Sequence, residues 1–141
     1  HCELEGRDAV VHAVVETERT TLIDSTWGTV TLEMTDEDRA ALRDYVAGDD
    51  AERYVISHGT DTMVDTAAAL ADLPGKHIVL TGALSPARFR TTDAVFNVGM
   101  AVAAVQVAGS GVYIAMSGQV FEAGAVRKNR AENRFEATGR N

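Results

Sequence analysis

The chain has 141 residues, 45% hydrophobic and 24% charged, with a formal net charge of −8. That length suits one domain and that composition an ordinary soluble globule. The acidity argues against nucleic acid or an anionic membrane as a partner and leaves a small zwitterionic substrate open.

No run approaches a transmembrane length, and the charged first residues do not read as a signal peptide. The single cysteine, Cys2, allows no internal disulfide, which fits a reducing cytoplasm. The chain starts at His1 rather than Met, so it is read either as processed or as starting inside a longer protein.

His1 to Asp8 is polar. Ala9 to Val15 is apolar and β-branched and predicts a strand, with His12 a packed or edge histidine rather than a ligand. Glu16 to Leu32 is rich in threonine, carries Trp27-Gly28, and predicts a long loop with a short strand near Thr29 to Thr31. Thr35-Asp36-Glu37-Asp38 is a helix start: a capping threonine, an acid three residues later, and a negative first turn. That helix is expected to run to about Ala47, with Leu42, Tyr45 and Val46 inward and Gly48 as its stop.

Tyr54-Val55-Ile56 predicts a buried strand. The turn Ser57-His58-Gly59-Thr60-Asp61-Thr62 follows, and then a helix to about Leu73 with Met63, Ala67, Leu70 and Ala71 on one face. Pro74-Gly75 ends it. His77 to Thr81 predicts the next strand, and Gly82 to Thr91 a loop with Pro86, Arg88 and Arg90. A long amphipathic helix capped by Thr92 is expected over Asp93 to Val107, then a turn at Gly109-Ser110-Gly111, a strand over Val112 to Met116, and a polar tail from Val126 to Asn141. Strands alternating with helices imply right-handed crossovers and a mostly parallel sheet covered on both faces.

The turn from Ser57 to Thr62 carries the chemistry. Its polar side chains crowd a glycine at the carboxyl end of a strand, where open α/β sheets form ligand crevices, and it opens a helix whose free N–H groups favour a carboxylate or oxyanion. Amide hydrolysis needs a nucleophile, a proton acceptor and oxyanion donors. Thr60 offers a hydroxyl, Asp61 a carboxylate, and Lys128 an amine that serves as a base when neutral. Spacing alone does not bring Lys128 to Thr60, and a plain helix N-cap cluster is the competing reading of the same residues.

The order His58-Gly59-Thr60-Asp61-Thr62-Met63 resembles one of the two signature motifs of the bacterial-type L-asparaginase family. Three more pieces match in sequence order: Val79-Leu80-Thr81-Gly82-Ala83 followed by Pro86; Phe96-Asn97 on the next helix; and Val126-Arg127-Lys128-Asn129. The likeness runs from about Thr31 to Ala137 and is strongest to short single-domain members. It implies a three-layer α/β/α fold apparently lacking the first strand. Residues 1–141 would be one N-terminally incomplete domain with a polar tail over 126–141.

The resemblance implies hydrolysis of L-asparagine to L-aspartate and ammonia, with no metal and no organic cofactor. Thr60, Lys128 and Asp61 would form the catalytic set, with Asp61 holding the substrate's α-amino group and Gly59 and Ala83 lining the pocket. Thr31 and Ser25 are rival ligands for the substrate carboxylate. His58 is expected to be structural, Asn97 and Arg90 scaffold or interface, and Lys76 and Arg127 surface charges. Ser57 stands where the family has threonine. The family's opening Thr-Gly-Gly-Thr-Ile loop has no match here; Thr17, Thr20 and Thr21 are the early threonines left. A non-catalytic amino-acid-binding homologue, or a glutaminase-type activity, is therefore the alternative. A homodimer or homotetramer is implied, with the helix Asp93 to Val107 as its interface.

Overall fold

The computed structural model describes residues 12–17, 20–24, 34–85 and 91–139. Its main sheet has six strands in the order β1-β2-β3-β4-β5-β6: β1 (His12–Thr17), β2 (Thr20–Asp24), β3 (Arg53–Ser57), β4 (His77–Thr81), β5 (Gly111–Met116) and β6 (Gln119–Glu122). Strands β2 to β5 run parallel, and β1 and β6 close the two edges antiparallel. The mostly parallel α/β sheet expected from the sequence is observed.

Side-chain alternation along the strands sets the layers. Tyr54 and Ile56 of β3, Ile78 and Leu80 of β4, and Ile114 and Met116 of β5 point to one face. There they pack with Leu42 and Val46 of α1 (Asp36–Gly48) and Met63, Ala67 and Leu70 of α2 (Met63–Leu70). Val55, Val79 and Ala115 point to the other face, against Ala101, Ala104 and Val105 of α3 (Ala94–Val107). Each fully buried Leu or Ile in the first cluster contributes about 1.5–3 kcal/mol relative to exposure.

Helix α1 starts as its sequence predicts. Thr35 Oγ1 accepts from the Asp38 N–H while Asp38 Oδ2 accepts from the Thr35 N–H, a reciprocal capping box. Helix α2 is shorter than expected. It ends at Leu70, and the chain tightens through Leu73 N–H to Leu70 C=O before Pro74.

Three expectations are corrected. The stretch read as a long loop from Glu16 to Leu32 contains β2, a five-residue strand inside a threonine-rich segment with no clear alternation to announce it. The polar tail over 126–141 is a hairpin of β7 (Val126–Asn129) and β8 (Arg134–Ala137), anchored by buried Val126 and Phe135. Helix α3 is not amphipathic: Val95, Phe96, Val102 and Val107 are exposed opposite its buried side. Among the described residues, no helix is long and apolar enough to cross a membrane.

Candidate active site

The site lies at the carboxyl ends of the parallel strands, where the chain leaves β3 through Ser57-His58-Gly59-Thr60-Asp61. The Lys128 amine, carried on β7, donates to Thr60 Oγ1 at 2.8 Å and to Asp61 Oδ1 at 2.7 Å. Hairpin β7–β8 therefore brings the distant amine to the turn. The Lys128 side chain is 14% exposed and that of Asp61 53%, so the group sits at a mouth open on the acid's side.

The hydrogen bond from Lys128, and then its charge, hold the Asp61 carboxyl below its ordinary range. Partial burial works upward, and Arg130 adds a smaller downward pull. The N-cap reading of this cluster does not hold. Helix α2 starts at Met63 with Thr62 as N-cap and no side-chain capping bond, while Thr60 and Asp61 turn to Lys128 instead.

Two buried networks grip the turns around that set. The His58 N–H donates to the Thr81 carbonyl at 2.8 Å, tying the turn to the end of β4. His58 Nδ1 lies 2.6 Å from the Gly59 carbonyl and Nε2 lies 2.8 Å from Thr66 Oγ1, which Arg39 Nε approaches at 3.2 Å. A carbonyl only accepts, so Nδ1 carries the proton, Nε2 accepts from the Thr66 hydroxyl, and Arg39 donates to Thr66. Burial lowers the His58 pKa, the Gly59 carbonyl pulls it back up, Arg39 lowers it further and Asp65 raises it. The imidazole is thus held neutral as a brace, in line with the structural role expected for it.

The second network orders the segment that carries Ala83. The Asn97 amide donates to the Gly82 carbonyl and to Asp93 Oδ2, both at 2.8 Å. Asp93 in turn accepts from the N–H groups of Leu84 at 3.1 Å and Ser85 at 2.9 Å. Burial pushes the Asp93 carboxyl up, but these donors outweigh it and hold it low. The two turns abut closely. A Cβ at Gly82 would meet the His58 carbonyl oxygen at 2.3 Å, so only glycine fits there.

Other expected residues divide. Thr20 pairs with Arg53, and Thr17 with Thr20, at the amino end of the parallel strands. A five-residue strand separates that end from the turn by roughly 15 Å, so these threonines cannot join Thr60. Strand β2 ends at Asp24, level with Ser57. Ser25 follows in sequence, but it, Thr31, Pro86 and Arg90 lie outside the described residues.

Lys76 is not a free surface charge: it donates to the Asp49 and Ala51 carbonyls at 2.6 Å each and sits 5.4 Å from the Tyr54 ring centre. Arg127 is a surface charge, paired with Glu136. Sequence reasoning missed Arg130, Asp93, Thr66 and Arg39. Asp93 was legible as a helix-start acid, and Arg130 as the residue two beyond Lys128. Among the described residues, no cluster of three His, Cys, Asp or Glu is placed to hold a metal ion.

The family described as Asparaginase, N-terminal, matches residues 6–138. Over 72 residues the chain is 42% identical to a glutamyl-tRNA(Gln) amidotransferase component of Methanococcus vannielii, covering 50% of this chain and 17% of that protein. Over 81 residues it is 41% identical to a probable periplasmic L-asparaginase of Haemophilus influenzae, covering 53% of this chain and 23% of that protein. The crystal structure of a probable cytoplasmic L-asparaginase from Campylobacter jejuni superposes with a TM-score of 0.65 at 31% identity, over 74% of this chain and 37% of that one. The chain thus spans well under half the length of these relatives.

Proposed function

The chain belongs to the asparaginase family, and on that premise we propose that it is an amidohydrolase cleaving the side-chain amide of L-asparagine to L-aspartate and ammonia. The observation that carries this reading is the convergence of Lys128 on Thr60 at 2.8 Å and on Asp61 at 2.7 Å. In this scheme the Thr60 hydroxyl, or a water it orients, attacks the amide carbon. The Lys128 ammonium that bonds Thr60 and Asp61 must first release a proton; its amine then takes the nucleophile's proton and passes it to the leaving nitrogen, which departs as ammonia. If Thr60 itself attacks, a water then cleaves the ester and the hydroxyl regains its proton. Asp61 accepts the substrate's α-ammonium, and the backbone of Gly59 and Ala83 lines the pocket.

The compartment proposed is the cytoplasm and the working form a homodimer or homotetramer, joined through the uncharged exposed face of α3. The test is ammonia release from L-asparagine by the purified chain beside Thr60→Ala. Release that disappears in the variant supports the scheme, and release that survives it removes Thr60 from the mechanism. The likeness to amidotransferase components of Methanococcus favours a second reading, in which the amide nitrogen comes from glutamine. Competition between L-asparagine and L-glutamine separates the two.

A further inference from the structure

The turn between β5 and β6 holds a residue that its backbone does not favour. Met116 pairs with Gln119, so Ser117 and Gly118 form a two-residue hairpin turn. Both have positive φ, 54° at Ser117 and 74° at Gly118. Such a turn prefers asparagine, aspartate or glycine at its first central position, and a serine there is strained. What the serine supplies is a hydroxyl. Ser117 Oγ accepts from the Phe135 N–H at 3.1 Å, which ties β8 to the main sheet across 18 positions of chain.

Phe135 is the register partner of Lys128 across the β7–β8 hairpin. Opposite residues of an antiparallel pair carry their side chains side by side on one face. Phe135 is 2% exposed and belongs to the same core cluster as Met116 and Val126. The Lys128 amine beside it ends on Thr60 and Asp61. The strained serine, the anchored phenylalanine and the amine are thus joined in sequence from the β5–β6 turn to the site. Resting on the proposed reading that Lys128 moves the proton, we infer that Ser117 is a positioning residue for that amine. Its hydroxyl fixes where β8 lies against the sheet, and the paired strand β7 then brings Lys128 to Thr60 and Asp61. Backbone strain that persists at one position while it sets geometry at a site is the pattern expected of such a residue.

The experiment uses two variants. Ser117→Gly lacks the hydroxyl and suits the positive φ, so its urea midpoint should stay close to that of the parent chain. Ser117→Ala lacks the hydroxyl and keeps the strain. In both, kcat for L-asparagine is expected to fall about tenfold with KM nearly unchanged, because the amine is misplaced while the substrate's own contacts remain. A loss in one variant and not in the other would put the effect on the backbone and overturn the inference.

The chain has two lysines, Lys76 and Lys128, so acetic anhydride labelling read by peptide mass spectrometry reports on the amine directly. Lys128 should label severalfold faster in both variants, and Lys76, at the amino end of β4, should label as in the parent. Unchanged Lys128 labelling would overturn the inference whatever happens to kcat. Faster labelling of both lysines would mark a general loosening and overturn it too, as would a faster-labelling Lys128 with undiminished kcat. Faster labelling of Lys128 alone, in a chain that releases no ammonia, keeps the positioning role and sinks hydrolysis.

Discussion

Lys128 and Thr60 are 68 positions apart in the chain and 2.8 Å apart at their polar atoms. The contact spans the long way round the sheet, through two parallel crossovers and the antiparallel β5–β6 pair to β7, and it ends on the turn that leaves β3. The pair is part-buried: Thr60 is half-buried and the Lys128 side chain 14% exposed.

Lys128→Met should separate function from folding. The pair it breaks is partly solvated, so the stability cost is within about 1 kcal/mol. Ammonia release should fall by about a thousandfold or more, because the group that moves the proton is gone. Urea unfolding and turnover on the same preparation check both halves. A large loss of stability would show that the amine is a structural strut.

Gly82→Ala tests the close approach of the two turns. The added methyl would lie 2.3 Å from the His58 carbonyl oxygen, a backbone atom that cannot swing aside. The expected cost is about 2–3 kcal/mol of stability, as for overpacking elsewhere. Activity should fall further than stability explains, because relief of the clash moves both Ala83 and the Thr60 turn. A variant with unchanged denaturation midpoint and turnover would refute the close packing.

The main elements were legible because their signals are local. The capping box at Thr35, the apolar runs of β3 and β4, and the Pro74-Gly75 break each sit within a few residues of what they determine. The site was half legible. The turn from Ser57 to Asp61 and the lysine at 128 stand out as motifs, whereas their meeting depends on sheet order, which no short window encodes. Hairpin β7–β8 was missed because charged residues dominate it; its two buried anchors, Val126 and Phe135, are nine positions apart in sequence, yet close on one hairpin face. The outer face of α3 was misread because helical spacing of apolar residues marks a buried side and gives no warning when the other side is apolar too.

Asn97→Ala should unfasten the segment that carries Ala83. Asn97 is 1% exposed and its amide serves both the Gly82 carbonyl and Asp93. Losing it leaves the part-buried Gly82 carbonyl without its side-chain donor, at a cost of about 1 kcal/mol or more. Asp93 keeps its two backbone donors, so the loop should loosen without unfolding, and KM for the amide substrate should rise. Faster hydrogen exchange at Leu84 and Ser85, measured beside KM, checks this; protection as in the parent chain counts against it.

Phe96→Glu addresses the exposed side of α3, where Phe96 is 64% and Val95 79% exposed. If that face joins copies of the chain, a charge on it should shift the sedimentation profile toward monomer at the same concentration. An unchanged oligomer would place the interface elsewhere.

His58 gives the chain a pH dependence whose sign follows from its surroundings. Burial lowers its pKa from the ordinary 6.5, so the unfolded chain takes up a proton at higher pH than the folded one does. Stability is then at its full value above about pH 6.5 and declines as pH falls from there through the lower folded value, because the unfolded state binds more protons across that window. Protonation would also force Nε2 to donate where it now accepts from Thr66, next to the Arg39 guanidinium, with Asp65 offering the partial counterweight. Hence activity should fade on the acid side along with local order in the turn. His58→Gln removes the titrating group and should flatten the stability profile across that window, while lowering stability at neutral pH by about 1–3 kcal/mol for the imperfectly replaced bonds. Urea midpoints for parent and variant on either side of pH 6.5 decide it: two parallel profiles would mean that some other group carries the acid sensitivity.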